Sequence, residues 1–404
     1  MNFLHYLSYG STDQLTAREL TGLYDGLLIP GTVAAFQADG TRGFVLTLSA
    51  AKEKPYLIDS RFPLFQNLLP SVPKKSHASL ARVFDDPGLI SSSKVPEATD
   101  FSDARCRNLA QKWVDFNVGY TTVNVKHFSK YAKRLGEELE PKDSKLPKSI
   151  LAPYFMCDGI DDPWWAVSKK LFEYSVESTK TTGHSLEAVR VIASKDVQHL
   201  DRLLNEVPES HVAVWVNNLN ELDATIDDLA TYGIALRRAA DRKTATFALY
   251  GGYFSATLSK FGLVGGSHGI GYGEHRRWEE LPNSGPPPAR YYLPKVHRYV
   301  AVELAEYLWN HAPSLIGGSP LHSSSPIALE YHDLMKHSVS CRHDEIEFLS
   351  SVSHSQIVSS LRDDYLEFTS GLAAIGVPAA LGSKFANVAS HLTRWADALE
   401  MVGR

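Results

Sequence analysis

The chain has 404 residues, 44% hydrophobic and 22% charged, with a formal net charge of -5. That balance belongs to a globular fold with a full core and argues against a disordered chain. It also argues against an overall basic nucleic-acid binder, leaving only the local clusters Lys130–Arg134, Arg237–Lys243 and His275–Arg277, each read singly as a solvated face. Cys106, Cys157 and Cys341 are far apart and odd in number. They speak against a disulfide framework and against a cysteine zinc site. The first residues lack the basic and apolar regions of a signal peptide, and no apolar run reaches about 18 residues, so no membrane span and a cytoplasmic location are expected.

In chain order, 26–36, 43–50 and 54–59 read as strands, followed by a polar excursion over 71–99 and helices over 103–139. A strand is predicted at 150–158 and a helix at 164–180. The second half alternates regularly. Strands at 188–194, 211–218, 244–252, 263–269 and 290–297 are separated by helices at 197–207, 221–240 and 253–262, with another at 299–312. Strands alternating with helices imply βαβ units, and about eight of them favour a (β/α)8 barrel over an open sheet. The expected organisation is an α/β, TIM-like barrel over 1–325 with a helical and loop insertion at about 70–148. A helical C-terminal extension follows over 326–404.

Barrel chemistry sits where strands end. The strand ends carry Asp59, Asp158, Asn217 with Asn218, the Tyr250-Gly251-Gly252 turn, the Gly265-Gly266-Ser267-His268 run, Lys295 and His297. Asp59 serves either as a helix cap or as a base or nucleophile. Asp158 precedes Asp161 and Asp162, a spacing too irregular for a divalent-cation loop. The glycine turns admit a ligand close to the backbone, or cradle a phosphate. Cys341-Arg342-His343 falls in a helical segment and reads as packing and surface.

Several segments recur in the order of a known family. Asp59-Ser60-Arg61-Phe62-Pro63-Leu64-Phe65-Gln66, Phe155-Met156-Cys157-Asp158, Phe247-Ala248-Leu249-Tyr250-Gly251-Gly252, Gly265-Gly266 through Gly273-Glu274, Ala289-Arg290-Tyr291-Tyr292-Leu293 and Tyr331-His332-Asp333 together resemble the tRNA-guanine transglycosylase superfamily. The resemblance covers roughly 26–345. Three departures stand out. The family's zinc cysteines are absent, the stretch Ser319–Pro326 standing in their place and only His332 having a counterpart. No acid occurs over 313–318, where the family keeps its nucleophile. Tyr250 replaces a base-contacting glutamine.

The resemblance implies base exchange at an N-glycosidic bond, guanine giving way to a 7-deazaguanine in nucleic acid, with DNA favoured over tRNA as in the family's DNA-modifying members. Asp59 would be the nucleophile or acid–base group and Asp158 would read the base's N–H edge. Tyr250, Gly251, Gly252, Gly265, Gly266, His268, Glu274 and His297 would bind substrate. No metal, cofactor or membrane is implied; a partner protein or a homo-oligomer is compatible. The alternatives are a non-catalytic barrel subunit that binds nucleic acid or a partner enzyme, and a barrel hydrolase or lyase acting on a small phosphorylated substrate.

Overall fold

The computed structural model describes residues 3–10, 12–69, 72–90, 94–271, 273–279, 289–317 and 324–404. The first strand, β1 (Leu4–Ser8), leads through α1 (Gln14–Glu19) to β2 (Gly26–Pro30). Two helices, α2 (Gly31–Phe36) and α3 (Ala38–Lys52), precede β3 (Tyr56–Asp59). The insertion then contributes α4 (Lys75–Val83), α5 (Asp103–Val118) and α6 (Val125–Leu135). Next come β4 (Ile150–Leu151) and β5 (Met156–Cys157), which pair with successive parts of one neighbour and act as a single interrupted strand. That neighbour, β6 (Ala188–Ser194), follows α7 (Pro163–Thr181). The units α8 (Leu200–Asn205), β7 (His211–Val216), α9 (Ile226–Asp241), β8 (Ala245–Ala248), α10 (Tyr253–Thr257) and β9 (Leu263–Gly269) complete the sheet.

The strands run parallel in the order β3-β2-β1-β9-β8-β7-β6-β4, a nearly closed barrel with helices between strands. The remaining seam, between β3 and β4, is bridged where the Lys148 amide donates to the Tyr56 carbonyl at 2.9 Å. Parallel strands buried on both faces read as continuous apolar runs, as Gly26–Pro30 does. The lumen is packed with Tyr6, Leu28, Leu57, Met156, Trp215 and Leu249 among others, so it is a core and not a pore.

Beyond the barrel, β10 (Arg290–Leu293) and β11 (Arg298–Ala301) form an antiparallel hairpin, turning at His297, whose φ is +51°. Then come α11 (Val302–His311) and the extension α12 (Tyr331–Ser351), α13 (His354–Ile375), α14 (Ala379–Phe385) and α15 (Ser390–Gly403). No helix among the described residues is long and apolar enough to cross a membrane. All three cysteines are buried and free.

Four expectations are corrected. Residues 31–36 and 43–50 are helical; α3 is buried along Phe44–Ser49 without a break, so its apolar run carries no visible helical period. Of residues 290–297 only Arg290–Leu293 is a strand, and it pairs outside the barrel, while Pro294–Val296 is a 3-10 turn; the eighth barrel strand is instead β1. The 71–99 excursion contains α4. Arg342 is 2% exposed and belongs to an ion network, not to the surface.

First and last strands meet at β1–β9. There the His5 and His268 rings meet with their Nε2 atoms 2.7 Å apart, and their Nδ1 atoms lie 2.9 and 3.0 Å from the carbonyls of Leu23 and Gly269; two neutral rings carry two N–H groups, so they donate in two of these three contacts. Burial, reinforced by the nearby Arg342 cation, pushes the His268 pKa down to about 3, and burial with His268 itself pushes His5 well down. Gly265 sits inside the same pairing. A Cβ there would lie 2.6 Å from the Leu4 Cβ and 2.7 Å from the Leu4 carbonyl oxygen. Gly265→Ala is therefore expected to cost about 1–3 kcal/mol by overpacking, read from urea unfolding. A variant as stable as the wild type would mean that β1 is not held in this register.

Candidate functional site

Alternation along the strands turns Leu57 and Asp59 into the lumen. Asp59 ends β3 and is fully buried at the barrel's C-terminal mouth. An acid there costs desolvation unless it is bonded. Its Oδ1 accepts from the Tyr154 hydroxyl at 2.7 Å and the Arg61 amide at 3.0 Å, and its Oδ2 from the Tyr250 hydroxyl at 2.5 Å. Arg61, in the left-handed region at φ +55°, folds back so that its guanidinium reaches the Tyr250 hydroxyl at 3.3 Å and lies 5.6 Å over the Trp215 ring. Burial opposes the Arg61 charge, but Tyr250 and Asp59 outweigh it and its pKa is raised. Burial, with the charge of Asp59, pushes the Tyr250 phenol up to about 12.

A segment after β9 lies over this cluster. Arg276 stands 5.0 Å over the Tyr250 ring, and its carbonyl accepts from the Trp215 indole N–H at 3.0 Å. The backbone of Trp278 is held at both ends, its amide by Asn217 and its carbonyl by Asn67. Burial, then repulsion from Arg61, lowers the Arg276 pKa. The mouth is thus plugged by a packed set of one acid, two arginines and four aromatic rings.

Beside the plug opens a cleft of about 260 Å³, whose lining includes Tyr250, Gly251, Glu221, Glu274, Arg290 and Arg298. Glu221 follows β7 and caps the short α10. Its Oε1 accepts from the amides of Gly252 and Ser255 and from the Ser255 hydroxyl, and its Oε2 accepts from the Phe254 amide. Glu274 meets it from the segment after β9. A Cβ on Gly252 would lie 2.7 Å from Glu274 Oε2 and 2.8 Å from Glu221 Oε2, so those two oxygens are at most about 5.5 Å apart. Gly252 is glycine because the two carboxylates occupy the space of a side chain.

Glu274 is bonded by the Arg342 guanidinium. Behind it the charges continue. Arg342 also reaches Glu345 at 3.2 Å, Glu345 takes the His297 ring at 2.5 Å and the Tyr292 hydroxyl at 2.9 Å, and Lys295 joins Asp364 at 2.7 Å. Burial raises the Glu274 pKa to about 7 against the pull of Arg342, with Glu221 and Glu345 adding to the rise.

The expected site residues distribute unevenly. Asp59, Tyr250, Gly251, Gly252 and Glu274 come together at the mouth and cleft. Asp158 is exposed on the rim, its carboxylate paired with Lys195 at 2.9 Å. Gly265 and Gly266 lie within β9, paired on both sides by β1 and β8, so their backbone is committed to the sheet. His268 neighbours the inward Ser267 and so faces away from the lumen, toward His5. His297 is stacked 3.6 Å from Tyr253 in the ion network behind the cleft. Sequence reasoning missed Glu221, Arg61, Tyr154 and Arg276. An acid five residues beyond β7, and a cation two residues beyond Asp59, were the available signals. Residues 318–323, within the stretch standing where the family's cysteines would be, lie outside the described residues. Among the described residues no group of three or more His, Cys, Asp or Glu is placed to hold a metal ion.

Compared with models of known protein families and with curated protein sequences, the chain matches none.

Glu274 makes a testable electrostatic statement. Folded, it keeps a proton that an unfolded glutamate has released by neutral pH. Stability from this group is full below about pH 4.5, declines as pH rises to about 7, and is level above that. In Glu274→Gln that decline is gone. The unfolding free energy of the variant minus that of wild type should grow by roughly 3 kcal/mol between about pH 4.5 and pH 8. Parallel stability curves from denaturant titrations across that range would show that Glu274 ionises as an ordinary carboxyl.

Proposed function

We propose that the chain exchanges bases at an N-glycosidic bond of a nucleic acid, replacing guanine by a 7-deazaguanine, in the cleft between Glu221 and Glu274. The observation that carries this reading is the pair of carboxylates at a barrel mouth whose facing oxygens are at most about 5.5 Å apart, one of them with a pKa raised to about 7. Closely facing carboxyl pairs, ~5–5.5 Å apart, break glycosidic bonds with retention, whereas wider pairs leave room for a water. Groups whose environments differ this way divide into acid and base.

In this reading Glu274 gives its proton to the departing guanine as the C1′–N bond breaks. Glu221 faces the positive charge that develops at C1′. The incoming base then bonds C1′ through its ring nitrogen and returns that nitrogen's proton to Glu274, so the protein ends unchanged. Tyr250 offers an aromatic wall, and Arg290 and Arg298 offer cations for a flanking phosphate. Asp59 is a positioning group here. It lies beneath the plug rather than in the lining of the cleft, and it sets Tyr250 and Arg61.

The test is incorporation of labelled guanine into tRNA, single-stranded DNA and duplex DNA. Wild type should incorporate it into one of them, and Glu274→Gln should lose ~10² or more in rate. If Glu274→Gln stays active while Asp59→Asn is dead, the acid–base role belongs to Asp59. If wild type exchanges nothing on any of the three, the second reading stands: a non-catalytic barrel that binds nucleic acid or a partner. The packed plug over the mouth favours that alternative.

A further inference from the structure

We propose that α6 and the groove beside it form a docking track for the phosphate backbone of a nucleic acid, separate from the cleft. The helix, VKHFSKYAKRL, contains no acid. Lys126, Lys130, Lys133 and Arg134 fall on about a third of its circumference over about 12 Å of axis, and all four are exposed. The opposite face, Phe128, Tyr131 and Ala132, is buried, and the helix packs on α3. Among the described residues none of the four cations has an ion-pair partner. Lys130 and Arg134 instead lie 5.5 Å from the Tyr131 ring centroid. Of the three acids that follow, Glu137 is paired with Lys52 and Glu140 with Lys142, which leaves the exposed Glu138 as the one acid beside the stripe without an ion pair among the described residues. In a chain of net charge -5, such a stripe concentrates positive potential on one face.

Arg134 carries the stripe into a groove of about 440 Å³, which Arg18, His332, Thr12, Gln14 and Tyr131 also line. His332 lines the groove as well and has its Nδ1 buried without a hydrogen-bond partner. Arg18 has only a 3.8 Å contact with Glu19, which Lys336 also draws at 3.2 Å. Thr12 and Gln14 belong to the segment leaving the C-terminal end of β1, so the groove lies at the same end of the barrel as the mouth.

The occupant is set by chemistry. A row of unpaired cations one helix face wide matches a row of phosphates. A membrane-binding helix would turn Trp, Phe or Leu outward beside its lysines, whereas here Phe128 and Tyr131 are spent on the core. The inference rests on this charge pattern and stands whether or not the cleft exchanges bases.

The experiment is fluorescence anisotropy of labelled duplex DNA, single-stranded DNA and tRNA over a salt series, with the whole chain. Lys126→Glu/Lys130→Glu/Lys133→Glu should weaken binding at least ~10-fold and reduce the slope of log affinity against log salt by ~2–3. The substitutions are on an exposed face, and an unchanged melting temperature checks the fold. The neutral triple Lys→Gln should fall between the two. The proposal is overturned if the charge-reversed variant binds with wild-type affinity and slope. It is equally overturned if the wild type binds anionic phosphatidylserine vesicles or polyglutamate but none of the three nucleic acids. Binding is read without turnover, so absence of base exchange leaves this result unaffected.

Discussion

The position of Glu274, and with it the cleft, depends on one buried cation. Arg342 is 2% exposed and stands between Glu274 on the barrel side and Glu345 on its own helix. Removing a guanidinium from water costs several kcal/mol, which only well-placed carboxylates offset. Its partners are therefore as constrained as it is. Glu345 holds His297, whose pKa burial pulls down but Glu345 and Asp364 together raise. Asp364 brings in Lys295 and thereby α13. The hairpin, two helices of the extension and the segment after β9 are thus cross-braced through charge in a largely buried region. The C-terminal helices are part of the apparatus that places one carboxyl beside another.

That placement explains a local oddity. Two carboxylates crowd the α-carbon of Gly252, and each is held by other means, Glu221 by amides of the α10 N-terminus and Glu274 by Arg342. Because the supports belong to different elements, the acids cannot drift apart without unseating a helix end or an arginine. Rigid support of this kind suits chemistry that needs a fixed gap.

The barrel was legible because parallel strands announce themselves as apolar runs closed by a polar residue. Asp59 followed from that rule. Glu274 was found through its glycine-rich setting. What escaped has physical reasons. Residues 43–49 are buried without a break, so no helical stripe appears. β1 lies too near the chain start to show a βα unit before it, and Arg290–Leu293 looks like a barrel strand although its partner is a hairpin. Gly265 and Gly266 suggested a ligand but serve strand packing. Glu221 and Arg342 become meaningful only once distant segments meet, since neither sits in a motif, and Asp158, well placed in sequence, turns out to the rim toward Lys195.

The β1–β9 seam joins residues 263 positions apart, as His5 and His268 do. A chain that emerges from the ribosome at about 5–20 residues per second leaves its first strand without that neighbour for roughly 13 to 50 s. During that interval β1 is an open edge with Tyr6 and Leu7 unsheltered, a template for pairing with other chains. The last barrel strand is therefore also a kinetic checkpoint. Helix-rich segments such as the insertion between β3 and β4 can form locally and early, while the ring they decorate closes late and through its most distant contact.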